Sequence, residues 1–356
     1  MKKYNFFAGP AILAPEVISE AAKAVENFTN MNLSLLEISH RSAEFVAVLE
    51  EAEALTRELL EIGDDYAVVF LTGGASSQFY MAPMNLLGSK ETAGYVNTGT
   101  WSTKAIKEVS NFGTVTEVAS SKDRSFCYIP KDYSISESLR YLHITSNNTI
   151  SGTEYHVIPE TEVPLVADMS SNIFSREVDI SKYDMIYAGA QKNLGPAGVT
   201  LVIVKKAALG KVGRKIPTML NYQTHIDKGS SFNTPPVYPI YVSMLTLRWI
   251  KRNGGVAEMA KRNDAKATAL YQEIDRNSLF YGTAEVEDRS RMNVCFRLHD
   301  ESKEATFLDF AESRNLVGLK GHRSVGGFRA SIYNAMELEG VTKLVQAMAD
   351  FEAANV

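Results

Sequence analysis

Apolar residues along the first two thirds of the chain follow two alternating spacings. Short continuous apolar runs, such as residues 66–71 and 199–206, predict buried strands. Stretches with apolar residues at helical spacing lie between such runs, for example at residues 16–28 and 43–62. Further strands are predicted at residues 93–99, 141–147, 164–170 and 184–190, and further helices at residues 75–87 and 100–113. The alternation predicts an α/β protein with a mostly parallel sheet and helices on both faces.

The pattern changes after Lys206. Residues 207–239 are predicted to form a loop, and a long helical stretch follows at residues 241–277, interrupted at Gly254-Gly255. From about residue 285 the order is strand, helix, strand, helix, at residues 292–298, 304–315, 326–333 and 341–354. This order predicts a smaller α+β C-terminal domain. The expected division is an N-terminal segment (1–15), a large domain (16–258) and a small domain (259–356).

Composition narrows the function. The chain has 356 residues and a formal net charge of -5, with scattered charges and no basic run that could neutralise a row of phosphates. Nucleic acid is therefore not an expected partner. The chain has only two cysteines, Cys127 and Cys295, which argues against a disulfide framework or a zinc site and fits a reducing, cytoplasmic location. The N-terminal sequence is a poor signal peptide, and no apolar run is long enough to cross a membrane.

Polar residues at the carboxyl ends of the predicted strands are candidates for chemistry, because ligands of open parallel sheets bind there. TGGASSQ (72–78) follows the first sheet strand, and its backbone N–H groups could hold a phosphate at a helix start. A plain strand-to-helix turn capped by Ser76 or Ser77 explains the same residues. Trp101, after the next strand, could stack on a flat ring or belong to the core.

Two charged residues at strand ends complete the set. Asp168 ends an apolar strand, where a carboxylate can cap a turn or keep a heterocyclic nitrogen protonated. Lys192 ends the next strand, where a charge is costly to desolvate. A phosphate site, a stacking aromatic ring, a carboxylate and a nucleophilic amine are together what pyridoxal 5'-phosphate requires.

Several motifs resemble those of the phosphoserine aminotransferase family, which are class V, pyridoxal-phosphate-dependent enzymes of fold type I. The likeness covers nearly the whole chain. The motifs are NFFAGPAILAPEV (5–17), SHRS (39–42), SNNTISG (146–152), VADMSS (166–171), YAGAQKN (187–193), GPAG (195–198), SSFNTPP (230–236) and KGHRSVGGFRASIYNAMELEGV (320–341). The resemblance implies a homodimer whose two active sites lie at the subunit interface.

The resemblance also implies roles for individual residues. Lys192 matches the Schiff-base lysine, Asp168 the partner of the pyridinium nitrogen, and Trp101 the ring that stacks on the cofactor. The other implied cofactor contacts are Thr149 on the phenolic oxygen, Ala75, Ser76 and Gln191 on the phosphate, and Asn233 and Thr234 reaching the phosphate from the other subunit. The implied substrate contacts are His40, Arg41, His322, Arg323 and Arg329. No metal is implied.

The implied reaction is reversible amino transfer between L-glutamate and 3-phosphohydroxypyruvate in serine biosynthesis. Both substrates are anionic, and arginine suits carboxylate and phosphate alike, although a lone arginine more often has a solvated surface role. Some members also act on a phosphorylated hydroxythreonine in pyridoxine biosynthesis, which the sequence leaves open. Some carry GGGR where this chain and a second branch have GGAS, so we expect His40, His322 and Arg323 to take a larger share of the substrate phosphate.

Three other functions remain as alternatives. A cysteine desulfurase needs a mobile catalytic cysteine, whereas Cys295 lies in an apolar strand and Cys127 in a Ser-Phe-Cys-Tyr context. An alanine–glyoxylate transaminase would have little use for the histidine and arginines near residue 322. A binding protein that has lost catalysis does not fit a chain in which the lysine, aspartate and tryptophan positions are all filled.

Overall fold

A computed structural model describes residues 2–355, and its strands and helices alternate as the apolar pattern predicts. The strands are β1 (Tyr4–Asn5), β2 (Tyr66–Leu71), β3 (Thr92–Asn97), β4 (Thr114–Ser120), β5 (Leu142–Thr145), β6 (Asn147–Asn148), β7 (Thr153–Glu154), β8 (Leu165–Asp168), β9 (Met185–Gly189), β10 (Thr200–Lys205), β11 (Phe280–Gly282), β12 (Asn293–Leu298), β13 (Leu316–Val317) and β14 (Phe328–Ser331). The helices are α1 (Pro15–Glu26), α2 (Ala43–Leu60), α3 (Gly74–Leu86), α4 (Thr100–Val109), α5 (Tyr222–Asp227), α6 (Val237–Arg252), α7 (Gly255–Arg276), α8 (Glu304–Ser313) and α9 (Leu338–Ala353).

The central sheet has seven strands in the order β2-β10-β9-β8-β5-β3-β4. Only β10 is antiparallel to its neighbours, so the other six strands run in one direction and the mostly parallel mixed sheet is confirmed. Because β2, β3, β5, β8 and β9 share a direction, the residues that follow them gather at one edge of the sheet.

Helices cover both faces of this sheet, as predicted. Helices α1, α2 and α6 pack on one face against strand residues such as Phe70 and Ile203. Helices α3 and α4 pack on the other face against Val69 and Val202. Alternate residues of a strand point to opposite faces, so strands buried on both faces read as the continuous apolar runs seen in the sequence.

Two parts of this unit differ from the sequence prediction. Strand β4 was not predicted, because it is an edge strand whose side chains are exposed or half-buried and lack an apolar run. The predicted loop at residues 207–239 is wrong in part, since it contains α5 and the start of α6. Pro239 lies in the first turn of α6, where a helix has no partner for the N–H that proline lacks.

The C-terminal residues form a three-stranded antiparallel sheet, β11-β12-β14, packed against α7, α8 and α9. Strand β1 pairs in parallel with β13, which brings Tyr4 and Phe6 into the same hydrophobic core. The N-terminal segment therefore packs with the C-terminal unit. Helix α7 spans both cores, because Met259 packs in the core of the large sheet and Leu270 in that of the small sheet. The division at residues 258/259 stays a proposal.

The helices of residues 2–355 include none that is both long and apolar enough to cross a membrane.

Candidate active site

A cavity of about 330 Å³ lies where the carboxyl ends of the parallel strands meet. Segments from five different strands contribute to its wall, together with the N-terminal residues Ala8 and Gly9. It is lined by nine of the residues singled out in the sequence: Ala75, Ser76, Trp101, Thr149, Asp168, Gln191, Lys192, His322 and Arg329. The topology thus brings together residues that are up to 254 positions apart (75 to 329).

Lys192 follows β9 and enters this cavity. The backbone beside it is fixed, because the Gln191 carbonyl accepts a hydrogen bond from the Ala11 N–H at 2.9 Å. Burial lowers the pKa of Lys192 to about 8, the nearby Asp168 carboxylate opposes this shift, and Arg329 adds to it. An amine with this pKa is unprotonated, and therefore nucleophilic, in a larger fraction of molecules near neutral pH than an ordinary lysine.

Asp168 is the last residue of β8 and lies buried at the cavity. Its carboxylate accepts a hydrogen bond from the Ser170 N–H at 2.9 Å. Burial raises the pKa of Asp168, while Lys192 and Ser170 act in the opposite direction. A buried carboxylate whose oxygens can accept further hydrogen bonds is suited to accept one from a protonated ring nitrogen.

Trp101 and Thr149 form one side of the cavity. The indole Nε1 of Trp101 donates to Thr149 Oγ1 at 3.0 Å, and Lys192 Nζ lies 5.7 Å from the centroid of the indole ring. Arg329 Nη1 donates to the Thr149 carbonyl at 2.9 Å. These bonds hold the indole ring beside the lysine amine, and a ring held there can stack on a flat ligand.

The start of α3 distinguishes the two interpretations of TGGASSQ, a phosphate-binding turn and a turn capped by Ser76 or Ser77. The N-cap residue is Gly73, with φ +98°, and it provides no side-chain cap. The Ser77 hydroxyl donates to the Gly74 carbonyl at 2.8 Å, so the simple serine cap is wrong. Among residues 2–355 no side chain caps the first N–H groups of this 13-residue helix, and these groups carry the positive end of its dipole. Such a terminus can hold a phosphate.

The residues present fit pyridoxal phosphate. The wall combines an amine, a carboxylate, an indole ring and an uncapped helix start, which match the aldehyde, ring nitrogen, ring face and phosphate of that molecule. Thr145 gives independent support. It pairs with Asp168 in the sheet register and lines the cavity, yet its buried Oγ1 has no hydrogen-bond partner among the described residues. An unpaired buried hydroxyl at a cavity wall is suited to a polar ligand.

Three of the lining residues that the sequence analysis missed are informative, namely Ala8, Gly9 and Thr145. Thr145 could have been found, since a hydroxyl residue at the end of an apolar strand faces the same edge as Asp168. Ala8 and Gly9 carry no side-chain chemistry, so only their contacts reveal them. A Cβ added to Gly9 would lie 3.5 Å from Cγ of Lys192, which places this backbone directly against the lysine.

His322 and Arg329 supply positive charge at the wall of the cavity. Arg329 belongs to β14, and His322 lies in the loop before it. His322 Nδ1 and Ser324 Oγ are hydrogen-bonded at 2.7 Å. Desolvation lowers the pKa of His322, and the cations Arg329, Arg323 and Lys104 lower it further. This accumulation of positive charge suits an anionic substrate.

Five predicted residues do not line this cavity: His40, Arg41, Asn233, Thr234 and Arg323. His40 and Arg41 lie just before α2, and Asn233 and Thr234 just before α6. Arg41, Asn233, Thr234 and Arg323 are exposed. Nε2 of His40 is buried and has no partner among the described residues.

One of the two cysteines, Cys295, is placed poorly for catalysis. Cys295 is buried in β12, and its thiol donates to the Ile150 carbonyl at 3.4 Å. Burial raises the pKa of Cys295 to about 12, which disfavours the nucleophilic thiolate. These observations argue against desulfurase chemistry at Cys295.

Comparison with known proteins places the chain in a family. The chain belongs to the class V aminotransferases, because the family model described as Aminotransferase class-V matches residues 3–344. The protein is therefore a transaminase, and the family implies pyridoxal phosphate as its cofactor.

Its relatives define the branch of this class. The chain is 60% identical over 354 residues to the phosphoserine aminotransferase of Bacteroides thetaiotaomicron, covering 99% of both chains. Among solved structures, phosphoserine aminotransferase from Bacillus circulans subsp. alkalophilus is 43% identical, with a TM-score of 0.97, over 100% of this chain and 99% of that one. The PLP-bound phosphoserine aminotransferase of Trichomonas vaginalis is 37% identical, with a TM-score of 0.92, over 98% of this chain and 100% of that one. The predicted membership of the phosphoserine aminotransferase family, and its fold, are confirmed.

Proposed function

We propose that the protein uses pyridoxal 5'-phosphate to transfer the amino group between L-glutamate and 3-phosphohydroxypyruvate. The products are 2-oxoglutarate and O-phospho-L-serine, so the reaction belongs to serine biosynthesis. The observation that carries the proposal is the juxtaposition in one cavity of the Lys192 amine, the Asp168 carboxylate and the Trp101 ring beside the uncapped start of α3. The names of the relatives support the choice of substrates.

The cofactor, when bound, supplies a carbonyl that bonds to amines and a ring that withdraws electrons from the substrate's α-carbon. Lys192 Nζ would be the group that holds the cofactor covalently. When Nζ is free, it would act as the general base and acid that moves the proton of the substrate's α-carbon. Its pKa of about 8 suits both directions of transfer.

The remaining cavity residues would hold the cofactor. The Asp168 carboxylate would accept a hydrogen bond from the protonated ring nitrogen, and Trp101 would stack on the ring face. The Thr149 hydroxyl would bond the phenolic oxygen. Gln191 and the backbone of Ala75 and Ser76 would bind the phosphate.

Anionic ends of the substrates require cations, and Arg329 and His322 are already at the cavity. Arg329 offers a planar fork of donors for a carboxylate or phosphate. Arg323 is exposed beside His322, and we propose that it joins them when a substrate is bound. The phosphorylated hydroxythreonine of pyridoxine biosynthesis is a second substrate to assay in the same way.

We propose that the site is completed in a homodimer. His40, Arg41, Asn233 and Thr234 do not line the cavity of their own chain. Exposed apolar side chains flank them, namely Leu36 (63% exposed), Val46 and Phe232. Exposed apolar residues beside unused polar ones are typical of an interface, and a second copy of the chain could both cover the former and use the latter.

Replacing Lys192 tests the proposal. We expect Lys192→Ala to keep the fold and to lose turnover by at least about 1,000-fold, because the variant has neither the covalent amine nor the general base. Formation of phosphoserine from glutamate and 3-phosphohydroxypyruvate is the assay, with circular dichroism and thermal unfolding as checks of the fold.

The control is Lys182→Ala, which removes an exposed lysine and should leave turnover unchanged. A Lys192→Ala protein with wild-type turnover would refute the assignment. Absorption spectra of the wild-type holoenzyme with phosphoserine or alanine distinguish the alternatives, since only an alanine–glyoxylate transaminase should respond to alanine and not to phosphoserine.

A further inference from the structure

A cleft of about 750 Å³ lies apart from the catalytic cavity and shares none of its lining residues. It is bounded by the end of α6, by the first half of α7 and by the segment between β14 and α9. The charged side chains at the cleft are Glu16, Glu258, Lys261, Arg262, Lys266 and Glu337. Lys266 differs from the others because it is only 1% exposed.

Lys266 binds backbone rather than a carboxylate. Its Nζ donates to the carbonyls of Ile332 at 2.8 Å and Tyr333 at 2.7 Å, just after β14. Among residues 2–355 no carboxylate lies within ion-pair distance of Nζ. Burial lowers the pKa of Lys266 to about 7, and Arg262 contributes in the same direction. A neutral amine has two N–H donors, so these two carbonyls are enough to pair with both of them.

Asn263 contacts the same segment from one turn earlier on α7. Its Nδ2 donates to Asn334 Oδ1 at 2.8 Å and to the Ser175 carbonyl at 3.0 Å. Residues three apart lie on one face of a helix, so Asn263 and Lys266 together bind residues 332–334 through hydrogen bonds. We call these two side chains the α7 clamp.

Residues 332–334 in turn contact the catalytic cavity in two places. The Asn334 N–H donates to Asn193 Oδ1 at 3.0 Å, and Asn193 is the residue directly after Lys192. The Tyr333 hydroxyl donates to the Ala8 carbonyl at 2.8 Å, and Ala8 lines the cavity. The α7 clamp is therefore two hydrogen bonds away from the backbone that carries Lys192.

We propose that Lys266 is a positioning residue for amino transfer, which holds residues 332–334 so that Asn193 and Ala8 keep the Lys192 amine in place. The inference rests on the proposed function of Lys192. Lys266 itself does not line the catalytic cavity. An alternative role, in which Lys266 only stabilises the fold, predicts no specific change at Lys192.

The test replaces Lys266 by methionine, an unbranched side chain that is one heavy atom shorter and has no hydrogen-bond donors. The control is Lys261→Met, an exposed lysine on the same helix and at the same cleft. In the holoenzyme we expect kcat of Lys266→Met to fall about tenfold or more, with KM for glutamate within about twofold of wild type, because misplacing a reacting group costs rate and not binding. Lys261→Met should behave as wild type.

A second readout does not depend on turnover. In the full-length protein without cofactor, formaldehyde and cyanoborohydride methylate unprotonated lysine, and mass spectrometry of the Lys192 peptide follows the rate against pH. We expect the midpoint for Lys192 to move above its wild-type value in Lys266→Met, because a loosened amine is better hydrated. Hydrogen exchange should rise in residues 331–336 and 190–194 and stay unchanged in α2.

The outcomes separate the possibilities. A kcat and a Lys192 midpoint equal to those of wild type in folded Lys266→Met would overturn the proposal, as would exchange that rises uniformly across the chain. If Lys266→Met does not fold, Asn263→Ala decides by the same two readouts. If the wild-type enzyme does not make phosphoserine, the proposed function fails, but the Lys192 midpoint still measures the coupling.

Discussion

Lys192 lies between two charges that act on its amine in opposite directions. The Asp168 carboxylate favours the protonated amine, whereas burial and the Arg329 cation favour the neutral one. The sequence predicted the pair of Lys192 and Asp168, because both end apolar strands that run in the same direction. It did not predict that the Arg329 cation, which lies 137 residues after Lys192 (329 − 192), would lower the pKa of the amine. That effect depends on how β14 packs against the large sheet.

At the scale of single residues, we predict that two substitutions shift the pH midpoint for methylation of Lys192 in opposite directions. Asp168→Asn removes a charge that stabilises the protonated amine, so the midpoint for methylation of Lys192 should move below the wild-type value of about 8. Arg329→Met removes a repelling cation, so the midpoint should move above that value. The measurement is the pH dependence of Lys192 methylation in the protein without cofactor.

The exposed Lys182 in the same digest serves as an internal reference, and its profile should be the same in all three proteins. Shifts of the same sign in both variants would show that general loosening of the site, and not charge, determines the midpoint.

Helix α3 shows how one element was predicted correctly in position but not in its detail. Its apolar spacing predicted the helix, and the residues at its start predicted a phosphate site there. The absence of a serine cap was seen only in the structure, in which Gly73, at positive φ, is the N-cap residue of the helix. An ideal Cβ on Gly73 would lie 2.7 Å from Cβ and Oγ of Ser77, whereas one on Gly74, also at positive φ, would meet nothing within 4 Å.

At the scale of elements, we predict that Gly73→Ala is more harmful than Gly74→Ala. Both substitutions put a side chain at positive φ, which costs about 1 kcal/mol of unfolding free energy. Gly73→Ala must in addition displace Ser77, so its total loss should reach about 2–3 kcal/mol. Urea unfolding of the protein without cofactor measures both losses, and titration with pyridoxal phosphate should show weaker binding for Gly73→Ala.

Gly74→Ala is the matched control for unfolding, since it also places a methyl group at positive φ but in open space. Equal losses of unfolding free energy in the two variants would contradict the steric explanation.

The whole molecule assembles its cavity from distant parts of the chain. Strand β1 pairs with β13, which places Ala8 and Gly9 at the cavity, and β14 brings Arg329 to the same place. His40, Arg41, Asn233 and Thr234 remain outside it, although their motifs resemble those of ligand-binding residues. A second copy of the chain is the simplest source of these side chains, because a symmetric dimer offers the same residues to both sites.

At the scale of the whole molecule, we predict that two inactive variants restore activity when mixed. One is Lys192→Ala, and the other carries Asn233→Ala and Thr234→Ala. Each mixed dimer would contain one site with Lys192 from one chain and Asn233 and Thr234 from the other. If subunits exchange at random, about half of the dimers are mixed and about a quarter of wild-type turnover should return.

The two variants are mixed, unfolded and refolded together at limiting pyridoxal phosphate. Turnover is then measured. The same variants refolded separately and then combined provide the control for subunit exchange. If residues 233 and 234 served the site of their own chain, every site in the mixed dimer would lack a required residue and no activity would return.

The sequence by itself determined six of the seven strands of the central sheet, the helices that cover it, and the residues at the strand ends. These follow from local spacing, because burial on both faces requires continuous apolar strands and parallel strands end at one edge. The tertiary structure alone decided the unpaired hydroxyl of Thr145, the N-terminal backbone at the cavity and the α7 clamp behind it. These features join residues far apart in the chain, and hydrogen bonds between such residues leave no pattern in local spacing.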